Sequence, residues 1–190
     1  MTTVIGFFDK ETGATALAAD SAITGEFKVR LKSSKIFLAG KDLAIGVFGI
    51  VPPPIEYPDL PPTREGAEEL ARLFVAAQVA AGHGTQLGDE GIQVYPSGGI
   101  IVGASCGPFF LTPTGEIYEG EEGYMAGGSG AGLAMGTLAS YVLYTKKNPD
   151  KRIPIRTLMN LALETSALHD PHTGLPGSMV VWSPRKTKAG

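Results

Sequence analysis

The second residue of the chain is a threonine, Thr2, directly behind Met1. A threonine hydroxyl is a poor nucleophile until a base accepts its proton. A free α-amino group titrates at about 7.7–8.0, so it can act as that base near neutral pH without a histidine. Thr2 can supply both groups, but only once Met1 is removed. With Met1 in place the Thr2 nitrogen is an amide and has no useful basicity. Met1 to Gly6 lacks the basic region of a signal peptide and runs straight into a strand-like pattern, so the start of the working chain is expected at Met1 or Thr2.

Other residue types invite other chemistries. His169, Asp170 and His172 are metal ligands by type, but Pro171 interrupts them, no fourth ligand is evident, and no metal is expected. Gly127-Gly128-Ser129-Gly130-Ala131 approaches a nucleophile elbow, yet its fifth position is alanine and no strand is read leading into it. Gly128, Gly130 and Gly132 suggest a phosphate loop, but Leu133 and Met135 break the dinucleotide pattern and no Gly-Lys-Ser/Thr follows. No cofactor is expected. Cys106 lacks an evident histidine partner and reads as a small buried residue.

The elements that must position these groups begin with strands. Thr3 to Phe8 and Ala14 to Ala19 read as a hairpin, and Ile36 to Ala39 with Leu43 to Phe48 as a second one around Gly40-Lys41-Asp42. Prolines from Pro52 to Pro62 make a loop. Thr63 caps a predicted helix with Ala67, Leu70, Phe74, Ala77 and Ala81 inward, ended by Gly82 and Gly84. Strands resume at Gly99 to Ala104 and Pro108 to Thr112, and a turn at Thr112 to Gly115 leads into Glu116 to Tyr118. A second helix is expected from Gly130 to about Tyr144, with Leu133, Leu138 and Val142 inward. A third starts at Pro154, with Ile155, Leu158, Leu161, Thr165 and Leu168 on one face. Ser178 to Trp182 is the last strand. Strands, helix, strands, helices, strand is an α+β order: antiparallel layers with helices outside rather than alternating βαβ units.

Composition bounds the partners. The chain has 190 residues, enough for one domain, with 43% hydrophobic and 18% charged residues. Its net charge of −3 argues against nucleic acid or an anionic membrane as partner. No run reaches the roughly 18 apolar residues of a membrane span. The basic stretch Arg185 to Lys188 reads as a solvated end within a short flexible tail near 184–190. One cysteine excludes an internal disulfide and fits a reducing, cytoplasmic setting.

Five local patterns, in order along the chain, resemble the proteasome β-subunit and HslV-type N-terminal-nucleophile hydrolases. They are Met1-Thr2-Thr3-Val4; Leu17 to Thr24; Ser34-Lys35-Ile36 followed by Ile45-Gly46-Val47-Phe48-Gly49; Ala126 to Gly130; and Asp170-Pro171-His172-Thr173-Gly174. The resemblance implies a single four-layer αββα sandwich over residues 1–190, two antiparallel sheets flanked by helices. It implies a threonine-type endopeptidase acting through Thr2. Lys35 would lower the pKa of the Thr2 hydroxyl or amine, and Asp20 would hold that ammonium. Gly49 would supply an oxyanion N–H. Ser129, Asp170 and Thr173 would support the amine, with Thr173 where the family usually has serine. Val47 would line an apolar pocket for the substrate, and Thr24 would contact it.

The implied assembly is a homo-oligomer of stacked rings acting on peptides or unfolded chains, with an ATP-dependent unfoldase open as a further partner. The chain departs from the pattern in several places. The Asp20–Lys35 interval is one residue shorter, Ala22 and Ile23 stand where an arginine is common, and His83 to Ser97 is too glycine-rich for a long helix. It resembles the β-proteobacterial homologue branch more than HslV itself. The competing reading is an inactive ring or scaffold protein of the same fold that retains Met1.

Overall fold

The computed structural model describes residues 2–24, 28–30, 34–49, 56–83, 85–87, 92–94 and 97–184. The first hairpin forms as expected: β1 (Thr3–Phe8) pairs antiparallel with β2 (Thr15–Ala19), placing Val4 opposite Ala19. Next come β3 (Ala22–Thr24) and β4 (Lys28–Arg30), a small separate ladder. The second hairpin is β5 (Ile36–Leu38) and β6 (Leu43–Gly49). Helix α1 (Arg64–Ala80) starts at Thr63, whose hydroxyl accepts the Gly66 N–H at 3.3 Å.

The glycine-rich stretch that follows holds a short ladder of β7 (Thr85–Leu87) and β8 (Ile92–Val94). Then come β9 (Ser97–Gly103), β10 (Phe109–Leu111), β11 (Ile117–Glu119) and β12 (Tyr124–Gly128). Helix α2 (Ala131–Lys147), one turn of 3₁₀ helix at Pro149–Lys151, helix α3 (Ile155–His169) and β13 (Ser178–Trp182) complete the chain. Pro52, Pro53 and Pro54 of the expected loop, and the basic stretch from Arg185, lie outside the described residues.

Two antiparallel sheets form, in the orders β12-β1-β2-β13 and β11-β10-β9-β6-β5. Strand alternation sorts their side chains into three apolar layers. Val4, Leu17 and Ala19 meet Ala44, Ile100 and Val102 between the sheets. Ile5, Phe7, Ala16 and Ala18 turn outward onto Leu138, Leu158, Met159, Ala162 and Leu163 of α2 and α3. Leu43, Ile45, Val47 and Ile101 turn the other way, onto Ala67, Leu70 and Phe74 of α1. The result is the four-layer αββα sandwich. Because both faces of each sheet are covered, the central strands read as continuous apolar runs. Each buried large aliphatic or aromatic side chain contributes roughly 1.5–3 kcal/mol.

The helical faces differ from the expected ones. In α1 the inner stripe ends with Gln78; Ala77 is half-buried and Ala81 is exposed beyond the helix. In α2 the helix runs on to Lys147 and buries Ala134, Leu138 and Thr145, with Leu133 and Val142 only half-buried. In α3 the expected face is rotated. Leu161 is 46% and Leu168 79% exposed, while Met159, Ala162, Leu163 and Ser166 go inward with Leu158. On this inner face the Ser166 hydroxyl donates to Gly130 O, just before α2, at 3.1 Å. Pro154 precedes the helix as its cap rather than opening it. Strand β12 was not expected from Tyr124-Met125-Ala126-Gly127-Gly128, a segment poor in β-branched residues.

The sheets approach closely where the two hairpins cross. A Cβ at Gly46 would lie 2.5 Å from Val4 Cγ1 and 3.2 Å from Leu17 Cδ1. Gly46→Val is therefore expected to overpack this layer and lower the unfolding free energy by about 1–3 kcal/mol. Denaturant midpoints measure it; an unchanged midpoint would show that the sheets can separate there at no cost.

Candidate active site

Register brings the first cluster together. Because Val4 opposes Ala19, the next residues along, Thr3 at the start of β1 and Asp20 just after β2, are also side by side. Asp20 N–H donates to Thr3 O at 3.0 Å, and Thr3 N–H donates to Asp20 Oδ1 at 2.9 Å. Lys35 stands one residue before β5, and its carbonyl accepts the Val47 N–H of the neighbouring β6 at 3.0 Å. From there its side chain reaches Thr2, Asp20 and Ala22 at the end of the β1–β2 hairpin.

The Lys35 ammonium is 1% exposed and donates three hydrogen bonds: to Thr2 Oγ1 at 2.6 Å, to Asp20 Oδ1 at 2.8 Å, and to Ala22 O. An ammonium has three donors, so all are used. Thr2 Oγ therefore accepts from Lys35, and its own hydroxyl proton is left for a base. Asp20 is equally committed. Its Oδ2 accepts Ala22 N–H and Gly174 N–H, each at 2.9 Å, so the carboxylate takes four bonds and has one orientation. Burial pulls the Lys35 pKa below its ordinary value of 10.5, against the hydrogen bond and charge of Asp20, which act to raise it. Removing either partner of such a buried pair costs about 3–5 kcal/mol.

A second cluster lies beside the first. Asp170 caps the end of α3, its N–H donating to Ser166 O at 2.7 Å. Its Oδ2 accepts the hydroxyls of Ser129 at 2.6 Å and Thr173 at 2.7 Å, and its Oδ1 accepts His172 N–H at 3.1 Å. The Thr3 and Thr173 hydroxyl oxygens are 2.5 Å apart. Thr173 spends its proton on Asp170, so Thr3 is the donor between them. The clusters join at Thr3, at Gly174, and at Thr2, whose carbonyl accepts Ser129 N–H at 2.9 Å. Gly130 packs against the hydroxyl pair: a Cβ there would lie 2.2 Å from Thr3 Oγ1 and 2.8 Å from Thr173 Oγ1.

Five of the residues singled out in the sequence join one hydrogen-bonded network with Thr2: Lys35 and Ser129 contact it directly, and Asp20, Asp170 and Thr173 are held through Lys35, Ser129 and Thr3. Gly49 ends β6 opposite Ser97, exposed, with a positive φ of 91°. Val47 is fully buried in the layer facing α1. The side chain of Thr24 lies outside the described residues. Thr3, Ala22 and Gly174 were not singled out; they act through backbone groups or a second hydroxyl, and backbone groups leave no trace in residue type. The reading of the 127–131 glycine turn needs correction, because β12 leads directly into it. Its serine nevertheless donates to a carboxylate, Asp170, rather than to a histidine. Cys106 is half-buried, and burial pushes its thiol up to about 11, so it is no thiolate at neutral pH. Among the described residues no group of three or more His, Cys, Asp or Glu is placed to hold a metal ion.

The Asp170 cluster makes a pH prediction. Burial acts to raise its carboxyl, but hydrogen bonds from Ser129, Thr173 and His172 N–H, with the His172 charge, outweigh it and hold the pKa below 3.8. A carboxyl depressed on folding stabilises the fold above its unfolded pKa, and that contribution is lost as pH falls through the folded value. Thermal unfolding below about pH 4 should show this loss in the native chain and a flatter acid limb in Asp170→Asn. Identical acid limbs would show that the carboxylate is not held by these bonds.

No family model matches the sequence. No curated protein matches it either. Solved structures do. Thiobacillus denitrificans BPH superposes with a TM-score of 0.73 at 17% identity, covering 96% of this chain and 98% of that one. The same protein in complex with epoxomicin gives 0.71 at 19% identity over 96% and 98%. Eukaryotic HslV from Trypanosoma brucei gives 0.63 at 15% identity over 96% and 99%. The resemblance therefore extends over almost the full length of each chain, and the fold of this protein is that of the proteasome- and HslV-type N-terminal-nucleophile hydrolases.

Proposed function

We propose that the chain is a member of that hydrolase family and a threonine peptidase, working after removal of Met1. The observation that carries the reading is the buried Lys35 ammonium, 2.6 Å from Thr2 Oγ1 and 2.8 Å from Asp20. An ammonium aimed at a threonine oxygen stabilises negative charge on that oxygen.

The reaction follows from the groups present. The free amine of Thr2 takes the proton from its own hydroxyl, and Oγ attacks a peptide carbonyl carbon. Charge moves to the carbonyl oxygen, where the Gly49 N–H would meet it. The C–N bond breaks, the Thr2 ammonium returns a proton to the leaving amine, and an ester joins Thr2 to the acyl fragment. Water, deprotonated by the same amine, cleaves the ester and restores the hydroxyl. Ser129, held by Asp170, steadies the Thr2 segment, and Thr173 steadies Asp170. Thr24 would pair with the substrate backbone, whereas Val47, fully buried against α1, offers no surface to a substrate side chain.

The working form would be a homo-oligomer of stacked rings whose chamber admits peptides and unfolded chains, in a reducing, cytoplasmic setting. An unfoldase would be needed only for folded substrates. Epoxomicin, bound by the Thiobacillus denitrificans protein, is a suitable probe. Intact mass of native protein is expected to lack Met1, and Thr2→Ala is expected to abolish hydrolysis of fluorogenic peptides. Full retention of Met1 would favour the inactive scaffold, and undiminished hydrolysis by Thr2→Ala would remove Thr2 as nucleophile.

A further inference from the structure

Nucleophile and oxyanion donor stand on different sheets. Thr2 leads into β1 of the four-stranded sheet, and Gly49 ends β6 of the five-stranded one. Their separation is therefore set by whatever spaces the sheets at that end. The spacer there is the ring of Phe48, half-buried in the layer between the sheets and in contact with Phe110 at 5.6 Å between ring centroids.

The ring lies between two glycines, one on each sheet. On its own sheet its registered neighbour is Gly98, where a Cβ would lie 2.6 Å from Phe48 Cζ and 2.7 Å from Cε2. On the facing sheet is Gly127, where a Cβ would lie 2.1 Å from Phe48 Cε1, 2.4 Å from Cδ1 and 2.8 Å from Cζ. Gly127 has no positive φ, and the three atoms nearest its absent side chain all belong to Phe48, so the ring is the obstacle to a side chain there. Gly127 sits opposite Val4 and leads through Gly128 to Ser129, whose N–H holds the Thr2 carbonyl. One rigid ring thus connects the residue before Gly49 to the turn that holds Thr2.

We infer that Phe48 is a positioning residue: seated in the Gly98–Gly127 slot, its ring fixes the distance between the Gly49 N–H and the Thr2 oxygen. This rests on the peptidase reading and adds to it. A shift of about 1 Å between reacting groups can cost 10²-fold in rate. An emptied or overfilled slot should therefore lower kcat while leaving KM nearly unchanged, because the substrate's side-chain contacts are untouched.

The test compares Phe48→Ala, Phe48→Leu, Gly127→Ala and the Phe48→Ala/Gly127→Ala double variant, with thermal unfolding confirming that each is folded. Fluorogenic-peptide kinetics are expected to show about 10-fold or greater losses of kcat for Phe48→Ala and Gly127→Ala, a smaller loss for Phe48→Leu, and KM within about threefold. The double variant should be no slower than Phe48→Ala alone, since the added methyl then enters vacated space. Losses that multiply in the double variant, losses carried by KM, or unchanged kcat would overturn the positioning role while leaving the peptidase intact. If Phe48→Ala does not fold, Phe48→Leu with and without Gly127→Ala decides by the same comparison. Absence of hydrolysis and of epoxomicin adduct in the wild type would sink the peptidase reading and the positioning role together.

Discussion

The Lys35 ammonium governs this structure. A charged amine with 1% exposure is tolerable only when each N–H finds an acceptor and a counter-charge stands close by. Its acceptors come from three separate places: the segment before β1, the end of β2 and the start of β3. Folding these strands without closing that triangle would leave a buried charge without its partners. The most demanding electrostatic requirement of the fold and the proposed chemistry thus coincide at one nitrogen. The ammonium already donates to Thr2 Oγ, so in the proposed reaction it would stand in place to stabilise the deprotonated oxygen.

The rest of the architecture makes the triangle rigid. Asp20 accepts four hydrogen bonds, from Lys35, Thr3, Ala22 and Gly174, so it has no freedom to turn away. Thr3 links the two carboxylates, with its N–H on Asp20 and its hydroxyl directed through Thr173 to Asp170. Glycines stand where side chains of neighbouring elements press in, as Gly46 does against Val4 and Gly130 against the Thr3–Thr173 pair. The close sheet packing in turn gives the Phe48 ring its slot and ties the geometry at Gly49 to that at Thr2.

Much of this was legible in the residues. Strands with β-branched and aromatic content, a proline-bounded helix and an Asx- and Gly-marked turn between β5 and β6 are local signals, and they formed where expected. Lys35, Asp20, Ser129, Asp170 and Thr173 were singled out through the resemblance of their order to the family's motifs; taken singly, Asp20 reads as a turn residue, Lys35 as a solvated charge and Ser129 as a helix cap. What escaped was set by packing. Strand β12 is built from glycine, alanine and methionine and is held by its pairing with β1. The leucines of α3 suggested a face of which only Leu158 is fully buried; Leu161 and Leu168 are exposed, and Met159, Ala162, Leu163 and Ser166 go inward instead. Ala22 and Gly174 were invisible as site residues because they contribute backbone N–H and C=O groups, which every residue type carries, and Thr3 because its backbone N–H is joined by a hydroxyl of an ordinary strand threonine.

The central claim is that Lys35 activates the Thr2 oxygen, and its most direct measure is the rate at which a threonine-directed electrophile labels Thr2, followed by intact mass. The account predicts a covalent adduct on the wild-type chain and labelling slower by at least about 100-fold in a folded Lys35→Met protein. Equal rates in the two proteins would contradict it, leaving Lys35 as a buried structural cation and nothing more.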